Sequence, residues 1–106
     1  IPCTPACFRE DFTTDTSQSE FEDLLTKARS VTAPEPPMGK EAGYLWASES
    51  LLDRSDVLIA VWDGGVGHGP AGTAATVARA RERGIPVIWI PSHPPYAVRR
   101  LEAARV

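Results

Sequence analysis

Two runs of β-branched, aliphatic and aromatic residues organise the chain, residues 57–62 (VLIAVW) and residues 85–90 (IPVIWI). Neither alternates with polar positions, so both read as strands buried on two faces, as in the middle of a parallel sheet. The segment between them opens with a polar, glycine-rich loop over residues 63–71. It continues as a helix from about residue 72 to Arg83, stopped by Gly84, a natural helix C-terminal glycine. Strand, loop, helix and strand make a βαβ crossover, which predicts that the two runs are adjacent or near-adjacent parallel strands.

Upstream, Phe21, Leu24, Leu25 and Ala28 recur at helical spacing, and Glu20, Glu22 and Asp23 stand where they complement the helix dipole. Ser17 or Ser19 is the expected cap of this helix, and its end is expected near Arg29. Pro34, Pro36 and Pro37 make residues 31–39 a linker or surface loop. A second helix is predicted over residues 40–53, where Tyr44, Leu45, Ala47, Ser48, Leu51 and Leu52 form one largely apolar face. Pro2 and Pro5 argue against a helix in residues 1–15, which read as a strand end followed by a loop. Ala97, Val98, Leu101 and Ala104 predict a closing amphipathic helix over residues 95–106. The expected fold class is therefore α/β, a Rossmann-like parallel sheet with flanking helices. The chain opens on Ile1 and Pro2 without an initiator Met, so some N-terminal structure is expected to have been removed.

Composition narrows the classes of function. With 106 residues, 42% apolar and 24% charged, the chain has the make-up of a single globular domain and no room for a separate substrate domain. Any site is carried by this unit or shared with a second chain, which keeps a homo-oligomer open. A net charge of -3 supplies no long-range field for DNA or RNA, so no nucleic-acid partner is expected. No apolar stretch approaches the roughly 20 residues of a membrane span, so no membrane partner is expected and a cytoplasmic location is the default. Cys3 and Cys7 lack a second Cys/His pair at zinc-ligand spacing and read as unconnected thiols.

The chemistry concentrates in residues 63–73 (DGGVGHGPAGT), which hold five of the eight glycines. The loop leaves a strand and enters a helix, the position at which open α/β sheets bind ligands. A helix start offers backbone N–H groups and a partial positive charge to an anion, and glycine lets the backbone approach a phosphate closely. The candidate nucleotide-binding residues are therefore Asp63, Gly64, Gly65, Gly69, Gly72 and Thr73. The backbone N–H groups of Gly72 to Ala74 are the expected donors to the phosphate, Thr73 can add a hydroxyl to the same anion, and Asp63 can accept hydrogen bonds from a ribose. The plain alternative is a flexible connection with Asp63 in a turn. His68 reads as a solvated loop residue before a ligand contact, and Trp62 and Trp89 as core or pocket wall before base-stacking groups. No metal site and no cofactor are indicated.

Residues 51–64 (LLDRSDVLIAVWDG), followed by residues 69–74 (GPAGTA) and residues 80–87 (ARERGIPV), resemble the SLOG/LOG-type Rossmannoid superfamily. Residues 8–12 (FREDF) and residues 21–25 (FEDLL) resemble segments that precede this motif in the group. The superfamily includes nucleotide sensors and enzymes that cleave N-glycosidic bonds, and nucleoside deoxyribosyltransferases share related features. The resemblance implies a nucleotide or nucleoside-like ligand over Asp63, Gly64, Gly65, Gly72 and Thr73. It also exposes two departures. The resemblance implies a further strand and glycine-containing loop that do not precede Ile1 in this sequence, so the sheet is expected to have an edge that is exposed or covered by a partner. Enzymatic members also carry an acid shortly after the Gly-Thr pair, where this chain has Ala75 and Thr76. Cleavage passes through a cationic sugar that a carboxylate must stabilise or attack. The expectation is thus non-catalytic binding or sensing of a nucleotide or nucleotide-derived small molecule. The alternative is an N-glycosidase or nucleoside deoxyribosyltransferase-like enzyme using Asp63 or Glu49, and a third reading is a degenerate domain that only mediates protein contacts.

Overall fold

The computed structural model describes residues 1–67, 69 and 72–102. Their order is α1 (Pro5–Arg9), α2 (Asp15–Lys27), α3 (Lys40–Asp53), β1 (Leu58–Trp62), α4 (Thr73–Glu82), β2 (Val87–Pro91) and β3 (Arg99–Leu101). The chain divides into two compact units, Ile1–Ala47 and Ser48–Val106. No helix among the described residues is long and apolar enough to cross a membrane.

The second unit is a mixed α/β arrangement with one three-stranded sheet of order β1-β2-β3. β1 and β2 run parallel, in an unbroken register from Leu58 opposite Val87 to Trp62 opposite Pro91. The crossover between them is α4, as the pattern of residues 57–90 predicts. Its inward residues Val77 and Ala80 pack with Leu52, Leu58, Ala60 and Val87 into one buried cluster, flanked by Trp62, Ile85 and Leu101. Gly84 closes the helix with φ 80°, a left-handed conformation that glycine adopts without a Cβ clash.

Two expectations for this unit are corrected. β1 is an edge strand and is not buried on both faces: Leu58 and Ala60 face the core, while Ile59 and Val61 are 67% and 64% exposed. Apolar side chains favour an extended backbone, but only neighbouring elements decide which face is covered. Residues 99–101 form a strand where a helix is expected, pairing antiparallel with β2 through Val87–Leu101, Ile88–Arg100 and Trp89–Arg99. Pro94, Pro95 and Tyr96, the last at φ 55°, turn the chain back on β2, with Tyr96 N–H donating to the His93 carbonyl at 3.1 Å. The Arg99 guanidinium then lies 5.5 Å from the centre of the Trp89 ring. Ala104, the last apolar residue of the expected helix, lies outside the described residues.

The first unit is built on aromatic rings. Phe8 meets Phe12, Phe21 and Tyr44 edge-on at 5.2, 5.3 and 6.1 Å, and Phe12 stacks on Phe21 at 5.0 Å. The Tyr44 hydroxyl donates to the Asp11 carboxylate, and burial, followed by that hydrogen bond and charge, pushes its pKa up to about 12. Three expectations are corrected here. α1 forms despite Pro5, because Pro5 sits in its first turn, where a missing N–H costs nothing. α2 starts earlier than expected, with Thr14 and neither Ser17 nor Ser19 as its cap; the Thr14 hydroxyl accepts from Ser17 N–H at 3.0 Å. Cys3 and Cys7 are joined in a disulfide, because the turn at the start of α1 brings their Cα atoms to 5.8 Å.

Candidate functional site: the glycine-rich loop and the start of α4

The loop leaves β1 under tight local control. The Asp63 carboxylate accepts from Gly65 N–H at 2.8 Å, and the Trp62 indole N–H donates to the Gly65 carbonyl at 3.1 Å. The Trp89 indole N–H in turn donates to the Trp62 carbonyl at 2.8 Å, and the two ring centres lie 5.2 Å apart. Gly64 has to be glycine on two counts. Its φ is 85°, and a Cβ there would lie 2.9 Å from the Trp89 ring. The tryptophan pair thus fixes the first turn of the loop from below.

The loop's far end builds the start of α4. Gly69 accepts from Gly72 N–H at 3.2 Å, and the Gly72 carbonyl accepts from both the N–H and the hydroxyl of Thr76 at 3.0 Å. Gly72 is the N-cap and brings no side chain to cap the helix. Helix geometry therefore leaves the N–H groups of Thr73, Ala74 and Ala75 without an intrahelical acceptor, at the positive end of a ten-residue helix.

Between strand tip, loop and helix start lies an open cavity of about 550 Å³. Its lining combines the apolar residues Val61, Trp62, Val66 and Ala74, the polar residues Asp63, Thr73 and Ser92, and the glycines Gly67 and Gly72. Val66 is 99% exposed at the mouth. Ser92 directly follows β2, so the cavity sits beyond the carboxyl ends of two neighbouring parallel strands. His93 stands beside it, with Nε2 3.3 Å from the Asp63 carbonyl and Nδ1 3.4 Å from the Pro94 carbonyl.

Of the residues expected from sequence, Asp63, Gly72 and Thr73 line this cavity. Gly64, Gly65 and Gly69 shape the loop and are not among the described lining residues. His68 lies outside the described residues. Of the expected donors Gly72 to Ala74, Gly72 N–H is engaged by the Gly69 carbonyl, which narrows the donor set to Thr73 and Ala74. Asp63 has one carboxylate oxygen in the turn, so its role includes the structural one weighed above. Glu49, the other candidate acid, is held by Arg79 at 2.5 Å and Arg83 at 3.3 Å and does not line the cavity. Val61, Val66, Ser92 and the neighbouring His93 escape the sequence reading. Ser92 and His93 carry a usable signal, since they follow the second of two parallel strands whose tips must share one end of the sheet. Comparison with known protein families, with characterised proteins and with solved structures yields no match.

Proposed function

We propose that the chain binds a nucleotide or nucleotide-derived small molecule in this cavity, with its phosphate at the start of α4, and leaves it chemically unchanged. The observation that carries the reading is the meeting of three features in one place: parallel strand tips, a glycine-rich loop and a helix start with no side-chain cap. The Thr73 and Ala74 N–H groups and the Thr73 hydroxyl are the donors to the phosphate. Asp63 takes the sugar through the carboxylate oxygen not used by Gly65. The α/β architecture is read as part of a Rossmann-like sheet, which the SLOG/LOG-type resemblance of residues 51–87 supports.

Binding is preferred to glycosidic cleavage on the placement of acids. The carboxylate at the cavity is Asp63, already committed to the loop turn, and Ala75 offers no nucleophile where the enzymes carry an acid. Glu49 is neutralised by two arginines.

Calorimetric titration with nucleoside monophosphates tests the reading. Gly72 has φ -77° and ψ 170°, an extended conformation open to any residue, so Gly72→Val adds bulk at the helix start without backbone strain. The expected result is loss of binding in Gly72→Val and weakening of about tenfold in Thr73→Val, one charge-assisted hydrogen bond. Unchanged affinity in both variants would remove the phosphate from α4. Chromatography of the same mixtures is expected to show intact nucleotide; release of free base that stops in Asp63→Asn would establish an enzyme instead.

A further inference from the structure

We infer that β1 is an interface with a second copy of this chain, the two β1 strands pairing edge to edge and antiparallel. Leu58 N–H donates to the Pro86 carbonyl at 3.0 Å, and the Trp62 carbonyl accepts from Ser92 N–H at 3.1 Å. Backbone groups alternate sides along a strand, so Leu58, Ala60 and Trp62 bond toward β2 while Ile59 and Val61 turn their N–H and C=O groups outward. No strand pairs with that side among the described residues.

Open edges are ordinarily blunted by lysine, proline, a bulge or a covering element. Among the described residues, β1 has none of these. Residues 57–62 carry no charge and no proline, and the register with β2 is unbroken over the whole strand. A groove of about 270 Å³ runs along the edge, bounded by Leu51, Ile59 and Val61 and by Thr73, Thr76 and Val77, with no charged side chain in its lining. Leu51, Val57, Ile59 and Val61 are each half or more exposed.

These features specify the occupant. It is an extended, uncharged, apolar segment with a free edge of its own. In this chain β2 is bonded on both sides, and β3 carries Arg99 and Arg100. β1 itself meets every requirement, and the match is self-complementary. A two-fold axis at Ala60 sets Ile59 opposite Val61 of the second copy, and each such pair exchanges two backbone hydrogen bonds. Five-residue strands alone fall short of the roughly 1,000 Å² of a stable interface, so the exposed side chains must contribute and the dimer dissociates on dilution.

Sedimentation velocity over a wide concentration series, with amide exchange on the same samples, tests the pairing. The expected result is a rise from monomer to dimer, with exchange at Ile59 and Val61 slowing as concentration increases. Ile59→Lys, at an exposed position that leaves the core intact by circular dichroism, is expected to stay monomeric. A control variant, Val31→Lys, is expected to dimerise as the parent does. A monomer at every concentration would overturn the inference, and so would a dimer that persists in Ile59→Lys with the Val61 amide exchanging freely.

Discussion

β1 and β2 are near twins in sequence and opposites in environment. Each carries aliphatic residues and a tryptophan, and they lie side by side in register. β2 is the central strand, bonded on both edges, and its Val87 is fully buried. β1 is bonded on one edge and buries only the residues that face α4 and Leu52. An apolar run therefore encodes a strand, and the neighbours decide how many of its sides are covered. The difference also bears on function. The centre of the sheet supplies the rigid support, through Trp89 beneath Gly64, and the edge strand carries the loop that shapes the cavity.

The largest expected contrast lies between matched truncations of the two strands. Val87→Ala should cost about 2–3 kcal/mol in urea unfolding, because its methyl groups leave a cavity in a fully packed site. Ile59→Ala should stay within about 0.5 kcal/mol when measured at low protein concentration. Equal costs would erase the distinction between centre and edge. Gly64→Ala comes next, at about 1–2 kcal/mol, since the left-handed backbone and the Trp89 ring both oppose a Cβ. Its thermal midpoint should fall while the helical signal of α4 persists.

Trp89→Phe should cost about 1 kcal/mol for the indole hydrogen bond to the Trp62 carbonyl, with a change in the fluorescence of Trp62 reporting the loosened pair. The smallest effect is expected at the exposed ion pairs of Arg83 with Glu49 and Asp53, where Arg83→Ala should change stability by about 0–1 kcal/mol and less at high salt.

The same contrast explains what the residue pattern reveals. The two parallel strands and α4 are legible because long apolar runs and a glycine stop leave few alternatives over residues 57–90. α3 spans the expected residues up to Asp53, but the single apolar face expected of it is not formed, since Leu51 is exposed beside the buried Leu52. α1 is not legible, because five residues give no periodicity and Pro5 signals a break unless its place in the first turn is known. The disulfide depends on that same turn. β3 is hidden because residues 99–101 have two arginines and no strand pattern, and only their pairing with β2 makes them a strand. In the site, Asp63, Gly72 and Thr73 follow from loop chemistry, whereas Val66 and Ser92 reach the cavity through tertiary placement. The engagement of Gly72 N–H by Gly69 is likewise a matter of loop geometry that composition does not carry.

Amide chemical shifts during titration with a series of nucleoside monophosphates, with inorganic phosphate alongside, test the anion site most directly. Binding at the start of α4 predicts that the largest shifts fall on Thr73 and Ala74, with a smaller change at Gly72, whose N–H is already bonded within the loop. Thr73→Val is expected to weaken the response without moving it. Shifts that leave Thr73 and Ala74 untouched, or no response to any nucleotide in the series, would contradict a phosphate site at this helix.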